Sequence, residues 1–359
     1  MSLRELRRHV GRLAIVGFNG HTVPADLRRL IDAFDLGGVI YFPRNLVDPP
    51  QVAELSREVA GLGREWPIWI SVDQEGGRVA RLRAPFTEWP PVIALGRSGD
   101  DRLAERFAIA LAKELLAVGI NLDYAPVLDV HTNPANPVIG DRALAEQADL
   151  AARLGAVVIR SMQGTGISAC GKHFPGHGDT TADSHHELPV VEHDRRRLDH
   201  VEFVPFRRAI EAEVATIMTA HVQVPAIDRD RIASFSPAIV RGILKEELGF
   251  NGVVISDDLG MKAVSERASF DEAAVASIEA GCDAALMCHA SIDECAAAFE
   301  ALIRAAEAGR IPLTRVEDAW ARQRRVKERF LPGPAASVPI EAVGCDEHQA
   351  IARQMAAWQ

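Results

Sequence analysis

Residues 172–187 read Lys-His-Phe-Pro-Gly-His-Gly-Asp-Thr-Thr-Ala-Asp-Ser-His-His-Glu, placing four histidines, two aspartates and a lysine around Pro175, Gly176 and Gly178. The proline fixes φ and the glycines free the backbone, so no regular helix or strand runs through. The ionisable groups therefore belong to a loop, where binding and catalytic groups concentrate. An imidazole titrates near neutral pH and can serve as acid and base in turn. Asp183 stands two residues before His185; a carboxylate so placed can hold the imidazole in one tautomer and raise its pKa. The same composition also fits a polar surface loop with no chemical role.

Two more motifs carry carboxylates. Gly252-Val-Val-Ile-Ser-Asp-Asp-Leu-Gly-Met reads as a buried strand ending in Asp257 and Asp258. Neighbouring strand residues point to opposite faces, so one of the pair can aim into a shared mouth. There it could attack an anomeric carbon or bind a metal; the plainer reading is a cap for the next helix. Asp73-Gln-Glu-Gly-Gly-Arg-Val-Ala-Arg81 follows a strand and turns on two glycines. Its carboxylate acceptors and forked guanidinium donors suit a polyhydroxylated ligand, or else form a surface salt-bridge cluster. Val138-Ile-Gly-Asp-Arg142 offers another guanidinium, or an N-cap at Asp141 followed by a solvated Arg142.

These groups need a frame, and the hydrophobic pattern supplies one. Strands are predicted at 14–18, 38–42, 67–73, 121–130, 167–173, 216–222, 252–257 and 284–288. Helices are predicted at 24–34, 51–62, 101–118, 146–163, 195–211, 237–248 and 270–279. Near-continuous apolar strands alternating with helices imply a parallel sheet covered by helices. Eight units fit a closed (β/α)8 TIM barrel better than an open doubly wound sheet. Asp73, Asp129, His173, His221, Asp257 and Asp258 all fall at or just past the C-terminal ends of these strands, the rim that carries the active site in such barrels. Turn chemistry alone also ends strands with polar residues, but several at one end match what the barrel requires. The barrel is expected over 1–332, with a tail over 333–359 carrying one helix at 346–358.

Composition narrows the partners. With 48% hydrophobic and 25% charged residues the chain is ordinary for a globular protein. A net charge of −10 argues against nucleic acid, whose phosphates call for a basic face. No apolar run approaches the length of a membrane span, about 20 residues. The basic start, Met1 to His9, resembles the opening of a signal peptide, but the apolar stretch 13–18 is short for a signal core. Cys170, Cys282, Cys288, Cys295 and Cys345 are odd in number and lack Cys-x-x-Cys spacing. That suits free thiols in a reducing compartment, and a cytoplasmic location is expected.

Asp-Gln-Glu-Gly-Gly-Arg-Val, Lys-His-Phe-Pro-Gly-His-Gly-Asp-Thr with Asp-Ser-His, and Ser-Asp-Asp-Leu-x-Met, in that order, resemble the family 3 glycoside hydrolases, in particular their β-N-acetylglucosaminidase branch. The similarity runs over about residues 10–332. It implies a (β/α)8 barrel that removes terminal β-linked N-acetylglucosamine with retention of configuration. By motif position Asp257 would be the nucleophile and His185, supported by Asp183, the acid/base. Asp73, Arg81, Arg142, Lys172 and His173 would hold the sugar. No cofactor and no metal are implied. The expected partner is a small carbohydrate, a GlcNAc-containing glycoside or a muropeptide of peptidoglycan recycling, and a monomer is expected. Larger members carry a second domain, whose beginning Asp346-Glu-His-Gln-Ala-Ile-Ala-Arg resembles; here that segment is expected to dock on the barrel as a helix.

Retaining hydrolysis uses a nucleophilic carboxylate and an acid that later becomes a base. A histidine in the second role leaves phosphate open as an acceptor in place of water, because a neutral base repels an incoming anion less. A metal-dependent hydrolase would draw ligands from His173, His177, His185, His186, His221 and Asp257, although no His-x-His or His-Glu-x-x-His spacing occurs. A non-catalytic sugar-binding module would need Asp73 and Arg81 but neither Asp257 nor His185. A dinucleotide site is excluded, since Gly164-x-Gly166 precedes a strand and position 169 is alanine.

Overall fold

The computed structural model describes residues 3–63, 65–181, 188–331 and 338–359. Among these, the strands β1 (Ala14–Gly17), β2 (Gly38–Tyr41), β3 (Trp69–Val72), β4 (Leu122–Asp123), β5 (Ser168–Phe174), β6 (Thr216–Thr219), β7 (Val253–Asp258) and β8 (Ala284–Met287) form a closed parallel barrel. β1 closes the ring on β8, with Ala14 opposite Ala285. The (β/α)8 architecture implied by the alternating apolar runs is the one observed. Every strand residue is buried except Asp257, which is half-buried, because helices cover the outside and side chains fill the inside. Ile15, Ile40, Trp69, Leu122, Cys170 and Ile255 belong to the inner core. Alternate positions such as Val16, Val39, Ile70 and Val254 pack in the layer shared with the helices.

Helix Leu313–Phe330 plugs the N-terminal end, with Val326 and Phe330 joining the inner core. Its buried Lys327 donates from Nζ to the carbonyls of Gly37 at 2.7 Å and Pro67 at 2.8 Å, ahead of β2 and β3. The C-terminal rim is thereby left as the end available to a ligand.

Three predicted elements differ. The strand expected over 121–130 pairs as a ladder only at Leu122–Asp123 and continues as a single bridge from Val127 to Lys172; Pro126 has no N–H to donate. The helix expected over 195–211 is two, Arg195–His200 and Phe203–Glu211. It breaks where buried Glu202 turns toward Arg197 at 3.2 Å and packs against Gly176. The segment Ala238–Glu247 winds as a π-helix instead of an α-helix.

Beyond 337, helix Asp346–Ala356 packs on helix Asp101–Ala117. There His348 Nδ1 lies 2.8 Å from Glu114 Oε1, which also accepts from Gly344 N at 3.0 Å, with Glu114 and His348 both buried. No described helix is long and apolar enough to cross a membrane.

Candidate active site

The rim is organised around buried charge. After β3 the chain forms a small hairpin, Gln74–Gly76 against Val79–Ala80, whose turn uses positive φ at Gly76 (107°) and Gly77 (57°). Gln74 straps it together, its Oε1 accepting from Arg81 N at 2.8 Å and Leu82 N at 3.0 Å. Arg81 Nη2 then reaches Asp73 Oδ2 at 3.2 Å. Lys172, from β5, lies between two carboxylates, with Nζ 2.9 Å from Asp73 Oδ1 and 2.6 Å from Glu75 Oε1. Glu75 also takes Arg142 in a two-pronged pair, Nε to Oε2 and Nη2 to Oε1, both at 2.8 Å.

The electrostatics follow from that wiring. Burial raises the Asp73 carboxyl, but Lys172 and Arg81 outweigh it and hold the group well below the usual carboxylate range. For Glu75 burial is again opposed, by Arg142 and Lys172, and the result is about 2. Burial alone would lower Lys172, yet Asp73 and Glu75 push it above its ordinary value. Asp73, Glu75 and Lys172 are thereby held in their charged forms. Beneath them Asp123 accepts from Gln74 N at 2.9 Å, while its Oδ2 has no partner among the described residues. Burial raises its pKa well above the ordinary carboxylate value, against the pull of the Gln74 N–H and Lys172.

A second cluster fixes the start of the histidine-rich loop. Asp129 Oδ2 accepts from His173 N at 3.2 Å and lies 2.7 Å from His173 Nδ1, while Oδ1 accepts from His177 N at 2.6 Å. Burial raises Asp129, but His173 and His177 bring it below the ordinary value. His177 Nδ1 is 2.6 Å from Thr180 Oγ1, and Asn136 Nδ2 donates to His177 O at 2.8 Å. Gly178 passes so close to Val130 O that a Cβ would stand 1.9 Å away, which requires glycine there. Asp183, His185 and His186 lie outside the described residues.

On β7, Val253 and Ile255 belong to the inner core, which gives Asp257 the inward parity. Its Oδ1 accepts from Asp258 N at 2.8 Å. Its charge acts on His177, His221 and the Cys288 thiol, so it lies among groups carried by the segments after β5, β6 and β8. Asp258 is structural in its contacts: Oδ1 accepts from Cys288 N at 2.9 Å and Gly260 N at 3.2 Å, and Oδ2 is 3.1 Å from His289 Nδ1. Buried His221 links β6 to β7, with Nδ1 2.6 Å from Ser234 Oγ and Nε2 3.0 Å from the Asp258 carbonyl.

The plainer readings of these motifs do not hold. Helix Lys262–Ser265 is preceded by Met261 without a side-chain cap, so neither aspartate caps it. Asp73 belongs to a buried network instead of a surface cluster. Arg142 is not solvated, with its side chain 10% exposed, and Asp141 pairs with Arg78 at 3.2 Å instead of capping. Among the described residues the expected metal ligands do not converge either. His173, His177 and His221 direct ring nitrogens at Asp129, Thr180, Ser234 and the Asp258 carbonyl. Among the described residues the group with metal-binding geometry is Asp258, Cys288 and His289. Sequence reasoning passed over Glu75, although it stands two residues after Asp73 in the same motif.

The profile of the glycosyl hydrolase family 3 N terminal domain matches residues 5–326. The chain belongs to glycoside hydrolase family 3. Within it, a β-hexosaminidase of Thiobacillus denitrificans (strain ATCC 25259 / T1) is 43% identical over 273 residues, 74% of either chain. A solved family 3 β-N-acetylglucosaminidase from Paenibacillus sp. str. FPU-7 is 42% identical with a TM-score of 0.94, covering 100% of this chain and 69% of that one. NagZ from Neisseria gonorrhoeae, solved in complex with N-trifluoroacetyl-D-glucosamine, is 30% identical with a TM-score of 0.78, over 96% of this chain and 97% of that one. The chain is thus a glycoside hydrolase of the family 3 barrel type.

Proposed function

We propose that this family 3 barrel is a retaining β-N-acetylglucosaminidase acting on terminal non-reducing β-linked N-acetylglucosamine, with muropeptides as the source. The observation that carries the reading is the wall formed by Asp73, Glu75, Lys172, Arg142 and Arg81 at the same rim as half-buried Asp257. Asp73, kept ionised, accepts from sugar hydroxyls. Arg81 Nε is buried and lacks a partner among the described residues, leaving a donor for the ligand. Lys172 and Arg142 are nearly enclosed and act mainly by fixing the carboxylates, while His173, oriented by Asp129, lines the wall beside them.

In this reading Asp257 attacks C1 while His185 protonates the leaving oxygen, and the glycosyl ester of Asp257 forms as the glycosidic bond breaks. His185, held by Asp183, then takes a proton from water, which cleaves the ester with net retention. The roles of His185 and Asp183 rest on their motif position. Residues 1–332 form the catalytic unit and 333–359 a tail docked through its helix. Turnover of a nitrophenyl N-acetyl-β-glucosaminide against the β-glucoside tests the reading. The first should be favoured by at least about a hundredfold in kcat/KM, as a site built around a polar substituent discriminates. Equal rates, or a sugar 1-phosphate as product in phosphate buffer, would overturn it.

A further inference from the structure

Asp258, Cys288 and His289 offer one carboxylate oxygen, one sulfur and one imidazole nitrogen, all within 4.8 Å of one another. Asp258 and Cys288 are buried at the ends of β7 and β8, whereas the His289 side chain is 60% exposed, leaving an approach from solvent. Three mixed ligands with an open fourth position suit a tetrahedral, borderline-soft ion. Metal–sulfur bonds of about 2.3 Å and metal–nitrogen bonds of about 2.0–2.1 Å ask the group to contract by about 1 Å, and exposed His289 can supply that movement. The local field favours a cation. Burial first, and then the negative charges of Asp258, Asp73 and Asp257, raise the Cys288 thiol against the pull of Arg44, and those same carboxylates attract a cation to the sulfur. Arg44 is itself held away on backbone, Nε on Phe18 O at 2.8 Å and Nη2 on Cys288 O at 2.6 Å.

We propose that Asp258, Cys288 and His289 bind a thiophilic divalent cation, Zn²⁺ fitting best, and that the bound ion inhibits turnover. The thiol releases its proton to solvent as the sulfur–metal bond forms. Inhibition follows from connectivity: Asp258 would turn from Cys288 N and Gly260 N toward the ion, and its own N–H holds Asp257 Oδ1 at 2.8 Å. The ion is therefore an inhibitor at a site beside the chemistry, opposite in sense to a metal cofactor. The inhibition rests on the glycosidase reading, but the binding does not.

Two readouts separate them. The full chain, freed of metal by a chelator, is titrated with Co²⁺ as a spectroscopic stand-in for Zn²⁺. One equivalent should bring a thiolate-to-cobalt charge-transfer band that Zn²⁺ removes by displacement. Cys288→Ser should abolish the band, and Cys345→Ser should leave it intact. His289→Ala, an exposed position that spares the core, should weaken binding at least about tenfold, the lower bound seen when even an outer partner of a ligand is lost. In the turnover assay Zn²⁺ should inhibit wild type, EDTA should restore it, and His289→Ala should resist. A missing band, a band carried by Cys345, unchanged affinity in His289→Ala, or activity that requires Zn²⁺ would overturn the proposal.

Discussion

Glu75→Gln removes one anion from a place that holds two buried cations. Glu75 is 2% exposed, takes both prongs of Arg142 at 2.8 Å and touches Lys172 at 2.6 Å. With the charge gone, an amide oxygen can still accept one bond, but among the described residues Arg142's other acceptor is a carbonyl, Val138 O at 3.1 Å, and Lys172's remaining carboxylate is Asp73. Removing one partner of a buried pair costs about 3–5 kcal/mol, because the remaining charge has already left water. Unfolding entropy is about 2.1 cal/mol/K per residue, so for a 359-residue chain that loss corresponds to a fall in Tm of about 4–7 °C. Activity should fall too, since Asp73 and Arg142 lose their fixed geometry, with KM rising more than kcat falls. A double-mutant cycle with Arg142→Gln should be non-additive by about 1–3 kcal/mol, as expected for residues in one network. Thermal unfolding followed by circular dichroism, with turnover on the chromogenic substrate, measures both. A Tm within about 1 °C of wild type together with an unchanged KM would refute the reasoning.

Burial pushes the His177 imidazole down from 6.5 to about 4. The unfolded chain takes up that proton below about 6.5 while the folded chain refuses it until about 4, so stability is lost as pH falls through this window, by about 3 kcal/mol. Urea unfolding between pH 7 and 4 should show that slope and His177→Gln should reduce it, leaving the part that His221, also lowered by burial, contributes in the same direction; Glu75, with its depressed pKa, adds a loss only below about 4.5. His348→Ala removes one of the donors to buried Glu114 and should cost about 1–3 kcal/mol, read as faster proteolysis of the 338–359 segment; unchanged protection would contradict the docking described. His185→Ala should slow a natural disaccharide more than a nitrophenyl glycoside, whose leaving group needs little protonation, and azide should restore turnover of the latter. Equal losses without azide rescue would leave His185 a structural role.

The barrel was legible because fully buried parallel strands read as apolar runs, as in Ala14–Gly17 and Val253–Ile255. β4 was overdrawn because its apolar run continues past Pro126, where the regular ladder gives way to a single bridge at Val127. Helix Leu313–Phe330 was missed because its core-facing side includes Lys327, a residue whose type signals surface and whose burial depends on carbonyls almost 300 residues away in sequence. The candidate site's residues were legible motif by motif, since Asp73, Lys172 and Asp257 fall at or near the C-terminal ends of strands. Their wiring was not: Lys172 meets Asp73 across 99 positions, and that pairing exists only once the ring closes. Arg142 was readable as a solvated arginine until Glu75 was in place beside it. His221 shows the converse, a strand-end histidine whose two nitrogens are both taken by structure.

The most direct measurement is covalent trapping of the glycosyl ester. A 5-fluoro analogue of N-acetylglucosaminyl fluoride forms the ester readily and hydrolyses slowly, so the labelled peptide can be mapped by mass spectrometry. The predicted result is one sugar on Asp257, and loss of turnover in Asp257→Asn with the fold intact. Label on Asp258, or an Asp257→Asn rate within about tenfold of wild type, equal to about 1.4 kcal/mol of barrier, would contradict the assignment of the nucleophile.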